Sequence, residues 1–151
     1  MRRVPHEVES PAPPDPRIPG VRRIGALASR RATLAEAELS RAQRASETAA
    51  QAVVAAEQAL QDCIADVAAR RAELLAARQA EPGGAPVLKR WRQEDQAQID
   101  RIAPARRTVS DRERERDAAE LALADAADRH RTLARRREKY TLLEEELRDD
   151  V

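Results

Sequence analysis

The stretch "EPGGAPVLKRWR", residues 81–92, holds two of the four glycines of the 151-residue chain, two of its nine prolines and its only tryptophan. On either side the sequence is dominated by Ala, Arg, Leu and Glu, all strong helix formers. Pro82, Gly83 and Gly84 stop a helix in two ways, through a missing backbone donor and through glycine's access to the left-handed region. Pro86 suits the first turn of the next helix. The stretch therefore reads as a reversal joining two helical arms.

The arm before it carries no proline from Val21 to Ala80. Larger apolar residues recur every seven positions at Leu39, Val53, Leu60, Val67 and Leu74, with Ser46 as the polar interruption. A companion set runs through Ala42, Ala49, Ala56, Cys63, Arg70 and Ala77. Alternating steps of three and four place both sets on one face of a helix. After the turn the seven-residue spacing resumes at Leu88, Ile102, Val109 and Leu123. A second offset set contains Trp91, Ala105, Ala119, Ala126, Leu133, Tyr140 and Leu147.

The expected fold is all-α: a long two-helix antiparallel coiled-coil hairpin with helix 21–80, turn 81–86 and helix 87–148. Residues 1–20, rich in proline, are expected to form a disordered arm ahead of the hairpin domain 21–151. Each arm of about 60 residues would span roughly 90 Å. Folding at the glycines brings Leu74 near Trp91, Val67 near Ile99, and Leu39 near Ala126 and Ala127. The helix–helix seam then comprises Leu39, Val53, Leu60, Val67, Leu74, Ile102, Leu123, Leu133 and Tyr140. Two readings of Pro104 stay open, a kink in one helix or the end of one and the start of another. Ser110 followed by Glu113 resembles a capping box that would support the second. Arg112 and Arg116 occupy nominal seam positions opposite an alanine-rich stretch, where loose packing is expected.

Composition agrees with a thin helical architecture. Phenylalanine is absent, charged residues make up 36%, and much of the 42% apolar fraction is alanine. Large side chains supply most of the area a globular core hides, at about 25 cal/mol per Å². A net charge of +1 gives no general attraction to nucleic acid, and no aromatic residues interleave with the basic runs to stack bases. The single cysteine excludes an internal disulfide. No stretch approaches the ~20 apolar residues of a membrane span, and the first residues lack a signal-peptide core, so a cytoplasmic location is expected.

Catalytic chemistry has little to build on. His6 and His130 are isolated, Gly83 and Gly84 lack the Lys and Ser/Thr of a phosphate loop, and Cys63 sits among alanines as a small apolar side chain. No enzyme activity, cofactor or metal is expected.

Interaction surfaces are better marked. Arg22, Arg23, Arg30 and Arg31 in the first arm lie at the same end as Arg135, Arg136, Arg137 and Lys139 in the second, making a basic open end. The acidic run "EEELRDD" lies beside it. At the turn end stand Val87, Leu88, Lys89 and Trp91. A tryptophan at the tip of two helices has two readings, a partner contact or a hydrophobic clasp that locks the turn.

The segments "VRRIGALASRRATLAEAELSRAQ", "EPGGAPVLKRWRQEDQAQI" and "RRREKYTLLEEE" together resemble the SctO/YscO family of type III secretion stalk proteins, whose flagellar counterpart is FliJ. The resemblance spans roughly residues 20 to 147, with the proline-rich arm and Pro104 as departures. It implies a non-enzymatic coiled coil similar to the central stalk of rotary ATPases. Its partners would be a hexameric type III secretion ATPase at the open end and an export-gate membrane protein at the turn, with secretion chaperones as further partners. The free protein would be a monomer, cytoplasmic and peripheral to the inner-membrane secretion apparatus. The competing reading is a generic coiled-coil scaffold or secretion chaperone.

Overall fold

A computed structural model describes Pro11 and residues 13–150. Regular structure among the described residues is entirely helical: α1 (Ile18–Gln79), α2 (Ala85–Asp100) and α3 (Ile102–Asp149). Most of the expected N-terminal arm, residues 1–10 and 12, lies outside the described residues.

Helix α1 begins three residues earlier than expected, which corrects the disordered assignment for Ile18, Pro19 and Gly20. Pro19 falls in the first turn, where a backbone N–H has no intrahelical acceptor and its loss costs little. The Asp15 carboxylate accepts the Arg17 backbone N–H at 2.9 Å and the Arg17 Nη2 at 2.6 Å. Ile18 N–H then donates to the Asp15 carbonyl at 3.1 Å, and Val21 N–H to the Arg17 carbonyl at 3.0 Å. Ile18 is buried, so the seven-residue stripe starts at the helix's first residue and runs through Gly25 and Ala32 to Leu39.

The chain forms two compact units, one from residues up to Ser40 together with those from Asp125 onward, the other from Arg41 to Ala124. In the first unit Ala28, Ala32 and Ala35 of α1 are buried, as are Ala126 and Leu147 of α3. Arg22 Nε donates to Glu144 Oε1 at 2.7 Å, and Arg129 Nη1 to Glu38 Oε2 at 2.8 Å. A Cβ on Gly25 would lie 3.6 Å from Tyr140 Cβ. Small residues on α1 thus admit the larger side chains of α3 at close range.

In the second unit Val53, Ala56 and Val67 are buried. Arg101 bonds Asp66, and the Cys63 thiol donates to the Arg101 carbonyl at 3.5 Å. Within each unit, later residues of one arm meet earlier residues of the other, consistent with a helical hairpin. The pairs fall within about a turn of the register expected from the sequence. Leu39, Leu60, Leu74, Ile102, Leu123, Leu133 and Tyr140 are all partly buried. No described side chain is wholly enclosed, and no described polar or charged residue is buried.

Two local expectations are revised. Leu88, expected on the second stripe, is exposed, and Val87 is the residue partly buried. The inward positions of α2 step back from Ile102 through Gln98, Asp95 or Glu94, and Trp91, and the next step of four reaches Val87. The turn also uses no left-handed residue, since no described residue has a positive φ. Gly84 is an extended N-cap, φ −136° and ψ −176°, whose carbonyl accepts both Val87 N–H and Leu88 N–H at 3.1 Å.

The second arm is interrupted at Arg101 alone, three residues before Pro104. Pro104 cannot donate to the Asp100 carbonyl, so one rung of the ladder is lost there. Arg101 keeps helical dihedrals, φ −65° and ψ −24°, and its N–H bonds the Gln98 carbonyl at 3.2 Å. Ser110 and Glu113 lie inside α3 and start no new helix. Of the arginines at nominal seam positions, Arg70 and Arg112 turn outward and Arg116 is partly buried.

Candidate interaction surfaces

The turn is held by a residue that sequence reasoning passed over. Arg78, in the last turn of α1, has a side chain only 10% exposed. Its Nη1 reaches Asp95 Oδ1 at 3.1 Å, and its Nη2 reaches Glu94 Oε2 at 3.1 Å and the Trp91 carbonyl at 2.9 Å. The guanidinium carbon stands 5.5 Å from the Trp91 ring centroid, within cation–π range. Its buried Nε has no partner. The forked head of arginine can satisfy two carboxylates and a carbonyl while stacking on an indole, which lysine cannot do. A signal was present: a base one position past the seam, four residues after Leu74, and an acidic pair one turn beyond Trp91.

A second contact closes the loop from outside. Arg90 Nη2 meets Glu81 Oε1 at 2.5 Å, and this hydrogen bond holds the Glu81 carboxyl below its ordinary value. Gly83 lies against the Trp91 ring, where a Cβ would be 3.6 Å from Cη2. Trp91 is therefore covered on one side by Arg78 and approached by the turn backbone on another, and it is partly buried. These contacts match the clasp reading of the tryptophan. Of the four residues expected to meet a partner at this turn, Leu88 and Lys89 are exposed, and Val87 and Trp91 are partly buried.

The basic segments meet within the first unit. Arg22 is engaged by Glu144, which also accepts Arg148 Nη2 at 2.6 Å. The Arg22 hydrogen bond, with the charges of Arg148 and Arg22, holds the Glu144 carboxyl below its ordinary value. The run "EEELRDD" thus neutralises part of the basic face. Among the described residues, Arg23, Arg30, Arg31, Arg135, Arg136, Arg137 and Lys139 form no ion pair. Arg31 and Arg136 line one groove from opposite walls, with Ile24 and Leu27 on α1 and Leu133 and Tyr140 on α3.

His130 is partly buried on α3, and His6 lies outside the described residues. Among the described residues no three His, Cys, Asp or Glu side chains are grouped to hold a metal ion. No described helix is long and apolar enough to cross a membrane. No family model, curated protein or solved structure matches the chain.

Proposed function

We propose that the two arms form an antiparallel coiled coil and that the chain is a non-enzymatic central stalk or coupling protein of a bacterial type III secretion system. In this reading it binds the hexameric secretion ATPase through its basic segments and the export gate through residues beside the turn, and works at the cytoplasmic side of the inner membrane. The reading rests on the resemblance of three segments to the SctO/YscO family. The observation that carries it furthest is the convergence of two basic segments in one unit, with Arg31 and Arg136 facing one groove. Acidic walls of a channel would be attracted by such a cluster, and the attraction would fall with salt.

The test is reconstitution with the cognate ATPase. Addition of the chain raises hexamer assembly and turnover, and charge reversal at Arg31, Arg136 and Arg137 reduces the effect. Unchanged assembly and turnover would refute the reading. At the turn, Leu88→Ala and Lys89→Ala weaken export-gate binding while leaving helicity intact. Trp91→Ala is less informative there, because the same ring packs on Arg78.

A further inference from the structure

Helix α1 carries two stripes in the first unit. One is the seam of Gly25, Ala28, Ala32 and Ala35, which faces α3. The other lies one residue earlier at each step, through Ile24, Leu27, Arg31 and Leu34, with the same alternation of three and four. A shift of one residue turns the stripe by about 100° around the helix, so α3 packs on the first stripe and leaves the second at the edge of the contact. Ile24, Leu27 and Leu34 are accordingly 48%, 46% and 59% exposed. A single partner helix needs only the narrow seam, whereas a helix in a bundle of three carries the wider apolar face seen here.

We infer that the groove between Ile24 and Leu27 on α1 and Leu133 and Tyr140 on α3 receives a third helix, an amphipathic segment of a partner protein with an aliphatic face flanked by acidic residues. The groove supplies apolar walls from both helices, and Leu34, two turns beyond Leu27 on the same stripe of α1, is likewise exposed. Charge selects the occupant. Arg31 and Arg136 stand one on each wall with no ion-pair partner among the described residues, and Arg30, Arg135 and Arg137 flank them in sequence, likewise unpaired. Glu138 is the nearest opposing charge in that run of α3. An incoming helix with glutamates beside its leucines would bury the exposed aliphatics and neutralise both walls. The inference rests on the first unit alone and would stand if the chain served an assembly other than a secretion system.

The probe is a fluorescent peptide of about 20 residues, long enough for a stable helix on docking. It carries leucines at alternating three- and four-residue spacing, flanked by glutamate, and its counterpart carries lysine instead. The full chain binds the glutamate peptide, with affinity falling as salt rises, and binds the lysine peptide at least about tenfold more weakly. Leu27→Gln with Leu34→Gln lowers the affinity about tenfold or more while circular dichroism stays unchanged. Arg31→Gln with Arg136→Gln weakens binding and flattens its salt dependence. Leu121→Gln, at an exposed site in the other unit, leaves binding unaltered. Equal affinity for the two peptides, or no loss in the leucine variant, overturns the inference. So does binding of phosphatidylglycerol vesicles with the same residue dependence when the peptide fails. A dimer in sedimentation that the leucine variant converts to monomer would assign the groove to a second copy and likewise overturn it.

Discussion

The Arg78 guanidinium packs 5.5 Å from the centre of the Trp91 ring and donates to the Trp91 backbone carbonyl at 2.9 Å. One side chain thereby joins the last turn of α1 to both the ring and the backbone of α2. Arg78→Ala removes bonds to two carboxylates and a carbonyl and uncovers one face of the indole. Because Glu94 and Asp95 stay partly solvated, the cost is limited to about 2 to 3 kcal/mol. Urea unfolding measures it. Hydrogen exchange should quicken around the turn first, and Trp91 emission should shift to the red. Arg78→Lys is expected to recover little, since an ammonium cannot form the same fork.

Gly25 is a helical glycine with room for a methyl group. The added Cβ would meet Tyr140 Cβ at 3.6 Å, an ordinary contact. Gly25→Ala should therefore stabilise the protein by about 0.5 to 1 kcal/mol, mostly through lower backbone entropy in the unfolded chain. A higher midpoint in thermal denaturation checks this, and a lower one would show that the helices cannot admit the methyl group.

Burial separates residues that look alike in sequence. Val67 is 3% exposed and Leu121 is 66% exposed. Val67→Ala is expected to cost about 2 kcal/mol, from two lost methyl groups plus incomplete collapse around them. Leu121→Ala, although it removes more carbon, should stay within about 0.5 kcal/mol of the parent. Chemical denaturation of the pair tests the assignment of faces on the two arms.

The pair Arg22–Glu144 makes a pH prediction. Glu144 titrates below its ordinary value of 4.5, chiefly because Arg22 donates to the carboxylate. A depressed carboxyl pKa in the folded state means its contribution is fully present above 4.5 and is lost as pH falls through the lowered value. Glu144→Gln should therefore be less stable than the parent at neutral pH, and the gap should close as acidification carries the carboxyl through its lowered value. Both partners touch solvent, so the gap at neutral pH should also shrink in high salt.

Much of the helical plan was legible in the residues. The seven-residue spacing from Leu39 to Leu74 gave the buried face of α1, with Val53 and Val67 the best covered of the positions named. Pro82, Gly83 and Gly84 gave the reversal. The interruption at Arg101 was legible through Pro104, because a residue without an N–H necessarily strands the carbonyl four positions before it. The open question at Pro104 reduces in the structure to a single residue that keeps helical dihedrals. Arg78 was missed because an arginine among alanines at the end of a helix reads as a solvated charge. Only across the turn do Trp91, Glu94 and Asp95 become its neighbours.

What the sequence determined alone is what a chain fixes through near neighbours: helix formation, the period of the buried stripe, the place of the turn and the approximate register. These depend on separations of three, four and seven residues and on backbone donors present or absent. Tertiary structure decided which way each helix is rotated against its partner. That rotation put Val87 inward and Leu88 outward, folded Arg78 over Trp91, and left Ile24, Leu27 and Leu34 exposed beside the seam. A rotation of one residue barely alters the periodic pattern, yet it exchanges which side chains meet, so it is settled by the packing of particular atoms across the interface.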